Sequence, residues 1–182
     1  MGTSIKKYLV WCNIERSVMK AFLQMFQTDY KNVRVQTNNP SRVKVDELFD
    51  HEEWADMLRI HYELIDRYER DGREANYMDL EFWKIEHANA PKGIKNSFTQ
   101  RRVDEFLSLY KSIKKKGYYK EDKKLIKAIW IEGFEIKEEP KWRSRITEKY
   151  YRLNGKRRII CCKYLGIEEI PISLIKVKVV KL

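Results

Sequence analysis

The chain has 182 residues, with 38 Lys and Arg against 27 Asp and Glu, a formal net charge of +11. Hydrophobic residues make up 43%, with five Trp, eleven Tyr and seven Phe, while four Pro and seven Gly are too few for long disordered linkers. That balance excludes an intrinsically disordered chain and suits one domain with an elaborated N-terminal part; its charge has two readings, an anionic partner (nucleic acid, a nucleotide or an acidic membrane surface) or a lysine-rich surface that keeps the protein soluble.

Cys12, Cys161 and Cys162 make an odd set with an adjacent pair. This is neither a disulfide framework nor a zinc spacing, and it points to a reducing, cytoplasmic setting with no metal site. Residues 5–27 place Ile5, Tyr8, Leu9, Cys12, Met19, Phe22 and Phe26 near one stripe, which predicts a core-packed helix. Asn13, Glu15, Arg16 and Lys20 interrupt its apolar run, so it reads as neither a signal peptide nor a membrane span. Val33 and Val35 then alternate, "NNP" signals a turn, and Val43 and Val45 suggest a second extended piece.

Asp50, His51, Glu52 and Glu53 offer groups of the kind a nuclease uses for Mg2+, but consecutive residues point apart, and an acidic helix start is the stronger reading. A helix over Trp54–Glu69 follows, stopped by Asp71-Gly72, with His61 on its apolar face as a core residue. A shorter helix is expected over Tyr77–Glu86, then a loop holding His87 with no evident partner. Ser97 or Thr99 would cap the next helix, whose Val103, Phe106, Leu107, Tyr110 and Ile113 form one face. Lys114, Lys115 and Lys116 complement its dipole in the last turn, and Gly117 stops it.

"LIKAIWIEGFEI" reads as a strand, "KEEPKWRSRITEK" as a hairpin excursion, and "YYRL" as the return strand. A short helix over 157–165 and a last strand in "IPISLIKVKVV" complete the chain. In the excursion, Lys141, Arg143 and Arg145 flank Trp142, a pattern able to stack a base and hold phosphates, or equally to plug a loop. The sharpest signal is the turn Asn154, Gly155, Lys156, Arg157, Arg158. A helix N-terminus leaves backbone N–H groups unsatisfied and partly positive, so it takes phosphate readily. Cations in that turn oppose the helix dipole, which favours a bound anion over stability alone as their explanation. The competing reading is a surface turn whose arginines pair with Glu132, Glu135 or other acids.

"YYRLNGKRRIICCKYLGIEEIPISLI" resembles the core of the ParB/sulfiredoxin superfamily: a strand, a Gly-x-His/Arg-Arg turn, a helix ending in Leu-Gly, and Ile-Pro opening a strand. "ELIDRYERDGREANYMDLEFW" and "RRVDEFLSLYKSIKKKGYY" are similar to an uncharacterised prokaryotic and viral ParB-like group, so the resemblance spans roughly residues 58–178. It implies an α/β (α+β) fold, a small mixed sheet flanked by helices, with residues 1–57 as a helical N-terminal extension. It implies that Gly155, Arg157 and Arg158 contact nucleotide phosphates. Lys156 stands where ParB proteins usually have Glu and where sulfiredoxins have their catalytic Cys, which argues against reductase chemistry. Asn154 and Arg157 replace the Asp and second His of the free-serine kinases of this fold.

The function expected is binding of a phosphate-bearing ligand, a nucleotide with Mg2+ first, at Gly155–Arg158. Two alternatives stand beside it: DNA or RNA binding, with or without nuclease activity, through Lys114–Lys116 and Lys141–Arg145, and a non-catalytic interaction module. Nucleotide hydrolysis, phosphotransfer and nuclease chemistry remain open because no carboxylate or nucleophile is tied to the turn by spacing.

Overall fold

The computed structural model describes residues 33–49, 51–118, 125–131, 147 and 149–179. The helix expected over 5–27 and the hairpin excursion, with Trp142 and its flanking cations, lie outside these residues. The described chain is mixed α/β, with four α-helices and one four-stranded sheet. Among the described residues no helix is long and apolar enough to cross a membrane. The described residues fall into two compact units: 33–49, 125–131, 147, 149–155 and 169–179 hold the sheet, and 51–118 and 156–168 hold the helices.

The sheet unit holds β1 (Val33–Lys44), β2 (Ile126–Trp130), β3 (Tyr150–Arg152) and β4 (Glu169–Val179), in the order β1-β4-β2-β3. β1 and β4 are antiparallel, β2 and β4 parallel, and β2 and β3 antiparallel. β1 differs from expectation. The "NNP" segment is no turn but a register irregularity between Asn38 and Ser41 inside one strand. Pro40 donates no backbone hydrogen bond, and a bulge is where a strand tolerates that. Val45 begins a 3-10 turn, Val45–Leu48, instead of extending the strand.

The β2–β3 pair is extended by Ile131 N–H donating to Lys149 O and Leu153 N–H to Lys127 O, both at 2.8 Å. Thr147 Oγ1 donates to Glu47 O at 2.8 Å, and Lys149 Nζ meets Glu47 Oε1 at 2.8 Å, fastening the approach to β3 onto the 3-10 turn. Ile126, Ala128, Ile129, Tyr151, Ile170, Ile172 and Ile175 are fully buried. β-branched residues dominate this set, as a strand buried on both faces requires.

The helical unit holds α1 (His51–Asp71), α2 (Glu81–Ala88), α3 (Lys95–Lys116) and α4 (Lys156–Tyr164). The α1 stripe buries Trp54, Leu64 and Ile65, α3 buries Val103, Phe106 and Tyr110, and α4 buries Ile159 through Cys162. Gly72, at φ +64°, ends α1 as expected. α2 starts four residues later than its apolar pattern suggests. Asn76 Oδ1 accepts the Met78 N–H and Leu80 N–H donates to Tyr77 O, so a turn occupies the predicted first helical turn. Arg67 fastens that turn with two bonds to the Asp79 carboxylate, at 3.1 and 2.8 Å, and a third to Asn76 O.

The expected caps of α3 are not used. Ile94 is the N-cap and carries no capping side chain. Ser97 Oγ donates to Ile94 O and Thr99 Oγ1 to Lys95 O, so both hydroxyls bond backward to carbonyls within the helix. His87 lies in the last turn of α2, its Nε2 3.1 Å from Asn96 Oδ1, and is not the partnerless loop residue expected.

Candidate functional site: the start of helix α4

Asn154 and Gly155 close β3 within the sheet unit. Asn154 Oδ1 accepts the Lys127 N–H at 2.9 Å, which commits that oxygen to ending the β2–β3 ladder. Gly155 has φ +90°, and a Cβ there would fall 2.4 Å from Ile126 Cγ1. Conformation and packing on Ile126 therefore each demand glycine.

The helical unit resumes at Lys156, the first residue of α4. Its first turn contains no acid and the consecutive cations Lys156, Arg157 and Arg158. Burial of Ile159, Ile160, Cys161 and Cys162 in the next turn fixes the rotation of the helix. The arginines then have unlike surroundings. Arg157 is half-buried, with Nη2 3.6 Å from Glu86 Oε1 and Nη1 3.5 Å from Glu105 Oε2. Arg102 shares both carboxylates, at 3.2 and 3.3 Å. Burial, then repulsion from Arg102, lowers the Arg157 pKa, and Glu86 and Glu105 offset part of that. The competing reading of the turn thus holds for Arg157, with acids from α2 and α3.

Arg158 is different. It is only partly exposed, and its Nη1 is buried with no hydrogen-bond partner among the described residues. A buried guanidinium nitrogen with no acceptor forgoes its water without compensation, and native structures seldom leave such a group unexplained.

Three neighbouring titratable groups, His61, Cys161 and Cys162, are biased toward their neutral forms by burial. His61 donates from Nδ1–H to Met57 O at 2.7 Å and meets the rings of Phe82 and Phe106 edge-on. Burial chiefly, with repulsion from Lys156 and Arg157, pulls its pKa down to about 4 against the bond to Met57. It is part-buried on the apolar face of its helix, against the rings of Phe82 and Phe106. Burial pushes the Cys161 and Cys162 thiols up to about 12, in keeping with packing rather than redox chemistry. Among the described residues no group of three or more His, Cys, Asp or Glu is arranged to hold a metal ion.

Of the other predicted cations, Lys114 pairs with Glu69 and lies 5.7 Å from the Tyr110 ring centroid. That bond holds the Glu69 carboxyl below its usual range. Lys115 and Lys116 are exposed. Lys141, Trp142, Arg143 and Arg145, like Glu132 and Glu135, lie outside the described residues. The sequence reading missed Glu86, Arg102 and Glu105 as the network around Arg157. Only the i,i+3 spacing of Arg102 and Glu105 was visible beforehand. Comparison with known proteins finds no family model, no curated protein and no solved structure that matches this chain.

Proposed function

We propose that the chain is a ParB/sulfiredoxin-like domain that binds a phosphate-bearing ligand, a nucleotide first, at the start of α4. The observation that carries this reading is the buried Nη1 of Arg158, without a hydrogen-bond partner among the described residues, in a helical first turn of cations without an acid. An anion there would accept from the N–H groups of residues 156–158 and from Arg158, while the dipole of α4 favours negative charge. Arg157 would act as a brace, since Glu86 and Glu105 already hold it. The chain order β3, α4, β4, with Gly155 before the helix and Leu165-Gly166 after it, follows the pattern of the resemblance. A nucleotide is preferred over free phosphate because a single orphan donor and one helical turn give little affinity unless a larger ligand adds contacts.

The test is thermal-shift screening against inorganic phosphate and ribonucleoside mono-, di- and triphosphates, with and without Mg2+. A ligand present at 100 times its Kd stabilises by about 2.7 kcal/mol, a shift of several degrees for a chain this size. No shift with any of them at millimolar concentration would contradict the proposal.

A further inference from the structure

Given the anion site at the start of α4, on which this inference rests, we propose that its ligand binds there in metal-free form. Arginine and backbone N–H groups neutralise the phosphate in place of Mg2+.

The nucleotide expected from the sequence comes with Mg2+, and the residues present do not fit that ion. Mg2+ takes oxygen ligands in a near-octahedral shell, and proteins hold it through one or two carboxylates beside the substrate's phosphates. The first turn of α4 contains no acid. Of residues 154–158, Asn154 alone has a side-chain oxygen. Within the sheet unit that oxygen already accepts the Lys127 N–H at 2.9 Å.

Within the helical unit, the carboxylates that meet Arg157 are those of Glu86 and Glu105, and both are occupied by arginine. Glu86 meets two guanidinium groups, Arg102 Nε at 3.2 Å and Arg157 Nη2 at 3.6 Å. Glu105 meets three, Arg102 Nη1 at 3.3 Å, Arg157 Nη1 at 3.5 Å and Arg101 Nε at 3.9 Å. A guanidinium keeps its proton, so Mg2+ on either carboxylate would stand beside fixed positive charges. Displacing them instead would strip the half-buried Arg157 of its acids, and an uncompensated charge in such a setting is costly. The surroundings already resist added positive charge. Burial chiefly lowers the His61 pKa, and repulsion from Lys156 and Arg157 lowers it further.

What the turn offers is donors: the N–H groups that open the helix, and Nη1 of Arg158, buried and without a hydrogen-bond partner among the described residues. These donors compete with a metal for the same oxygens. Mg2+ bridges the β- and γ-phosphates of a nucleoside triphosphate and neutralises their charge. A di- or triphosphate in Mg2+ therefore gives its best acceptors to the ion. A monophosphate cannot chelate the ion between two phosphate groups and keeps its oxygens for the protein.

The experiment is isothermal titration of the full chain with ribonucleoside 5′-mono-, di- and triphosphates, in EDTA and in Mg2+ at matched ionic strength. With Mg2+ at about ten times its own Kd for a di- or triphosphate, about a tenth of that nucleotide stays metal-free, and exclusive binding of this fraction raises the apparent Kd about 10-fold. At the same Mg2+ concentration the Kd of the monophosphate is nearly unchanged. Arg102→Gln, its fold checked by a melt, releases each carboxylate from one arginine, and the Mg2+ penalty on the triphosphate shrinks. If that variant fails to fold, the wild-type comparison decides alone. Binding of the triphosphate as tight or tighter in Mg2+ overturns the inference and leaves the anion site standing. So does an equal loss for the monophosphate, which would make Mg2+ a screening salt, and so does a penalty untouched by Arg102→Gln. Absence of binding by every phosphate in both buffers contradicts the anion site itself, and the inference falls with it.

Discussion

Arg157 and Arg158 are consecutive and chemically identical, and the fold gives them different work. Arg157 neutralises Glu86 and Glu105, whose side chains are 22% and 48% exposed. Arg157→Ala leaves Glu86 with Arg102 alone in a half-buried setting, and urea unfolding should show a loss of about 1–2 kcal/mol. Arg158→Ala removes a cation that opposes the dipole and whose Nη1 has no hydrogen-bond partner to lose among the described residues. Its unliganded stability should change by no more than about 0.5 kcal/mol, upward if at all. Equal losses for the two would mean that Arg158 is structural. His61 gives a pH prediction. Its pKa is lowered from 6.5 to about 4 in the native state, so folding prefers the neutral ring. Its contribution is complete above about pH 6.5. It declines as the unfolded chain alone takes up the proton, and is gone once the native state also protonates, near pH 4. His61→Phe should flatten the fall in stability between those pH values, by on the order of 2–3 kcal/mol. An unchanged profile would contradict the assignment.

At the scale of elements, the chain leaving β3 depends on Gly155. Gly155→Ala places a methyl 2.4 Å from Ile126 Cγ1 at a φ of +90°, and should cost roughly 2–4 kcal/mol from overpacking and left-handed strain together. Ile126→Ala removes the colliding atoms. In the double variant the Gly155→Ala cost should shrink to the strain alone, about 1–2 kcal/mol, in a urea-denaturation cycle. Additive losses would show that the close approach is not what requires glycine. The same elements show what a sequence can reveal. The long stripes of α1 and α3, the stops at Gly72 and Gly117, and the strands β2, β3 and β4 were legible because 3.6- and 2-residue periods and glycine act locally. The α3 cap was not, because Ser97 and Thr99 have equally good acceptors behind them, in Ile94 O and Lys95 O. The bulge at Asn39-Pro40 was misread as a turn because the two share a composition. What distinguishes them is pairing with β4, far along the chain.

For the molecule as a whole, a charge of +11 does not say which cations, if any, face an anion. Cations that composition cannot tell apart are separated by their partners. Lys114 belongs to Glu69, Arg157 to Glu86 and Glu105, and Arg42 to Glu169, while Nη1 of Arg158 has none among the described residues. The turn at Gly155 was legible as a candidate site from its residue types. Which of its residues are spent on the fold was not, because Glu86 and Glu105 come from helices distant in sequence. The most direct test of the anion site is isothermal titration of the best thermal-shift ligand into wild type and Arg158→Ala, beside their unliganded melts. Binding by wild type is expected to weaken by about 2–4 kcal/mol in the variant, roughly 30- to 1000-fold, with the unliganded melting temperature unchanged. Equal affinity in the two proteins, or an Arg158→Ala variant that no longer folds, would contradict an anion site at the start of α4.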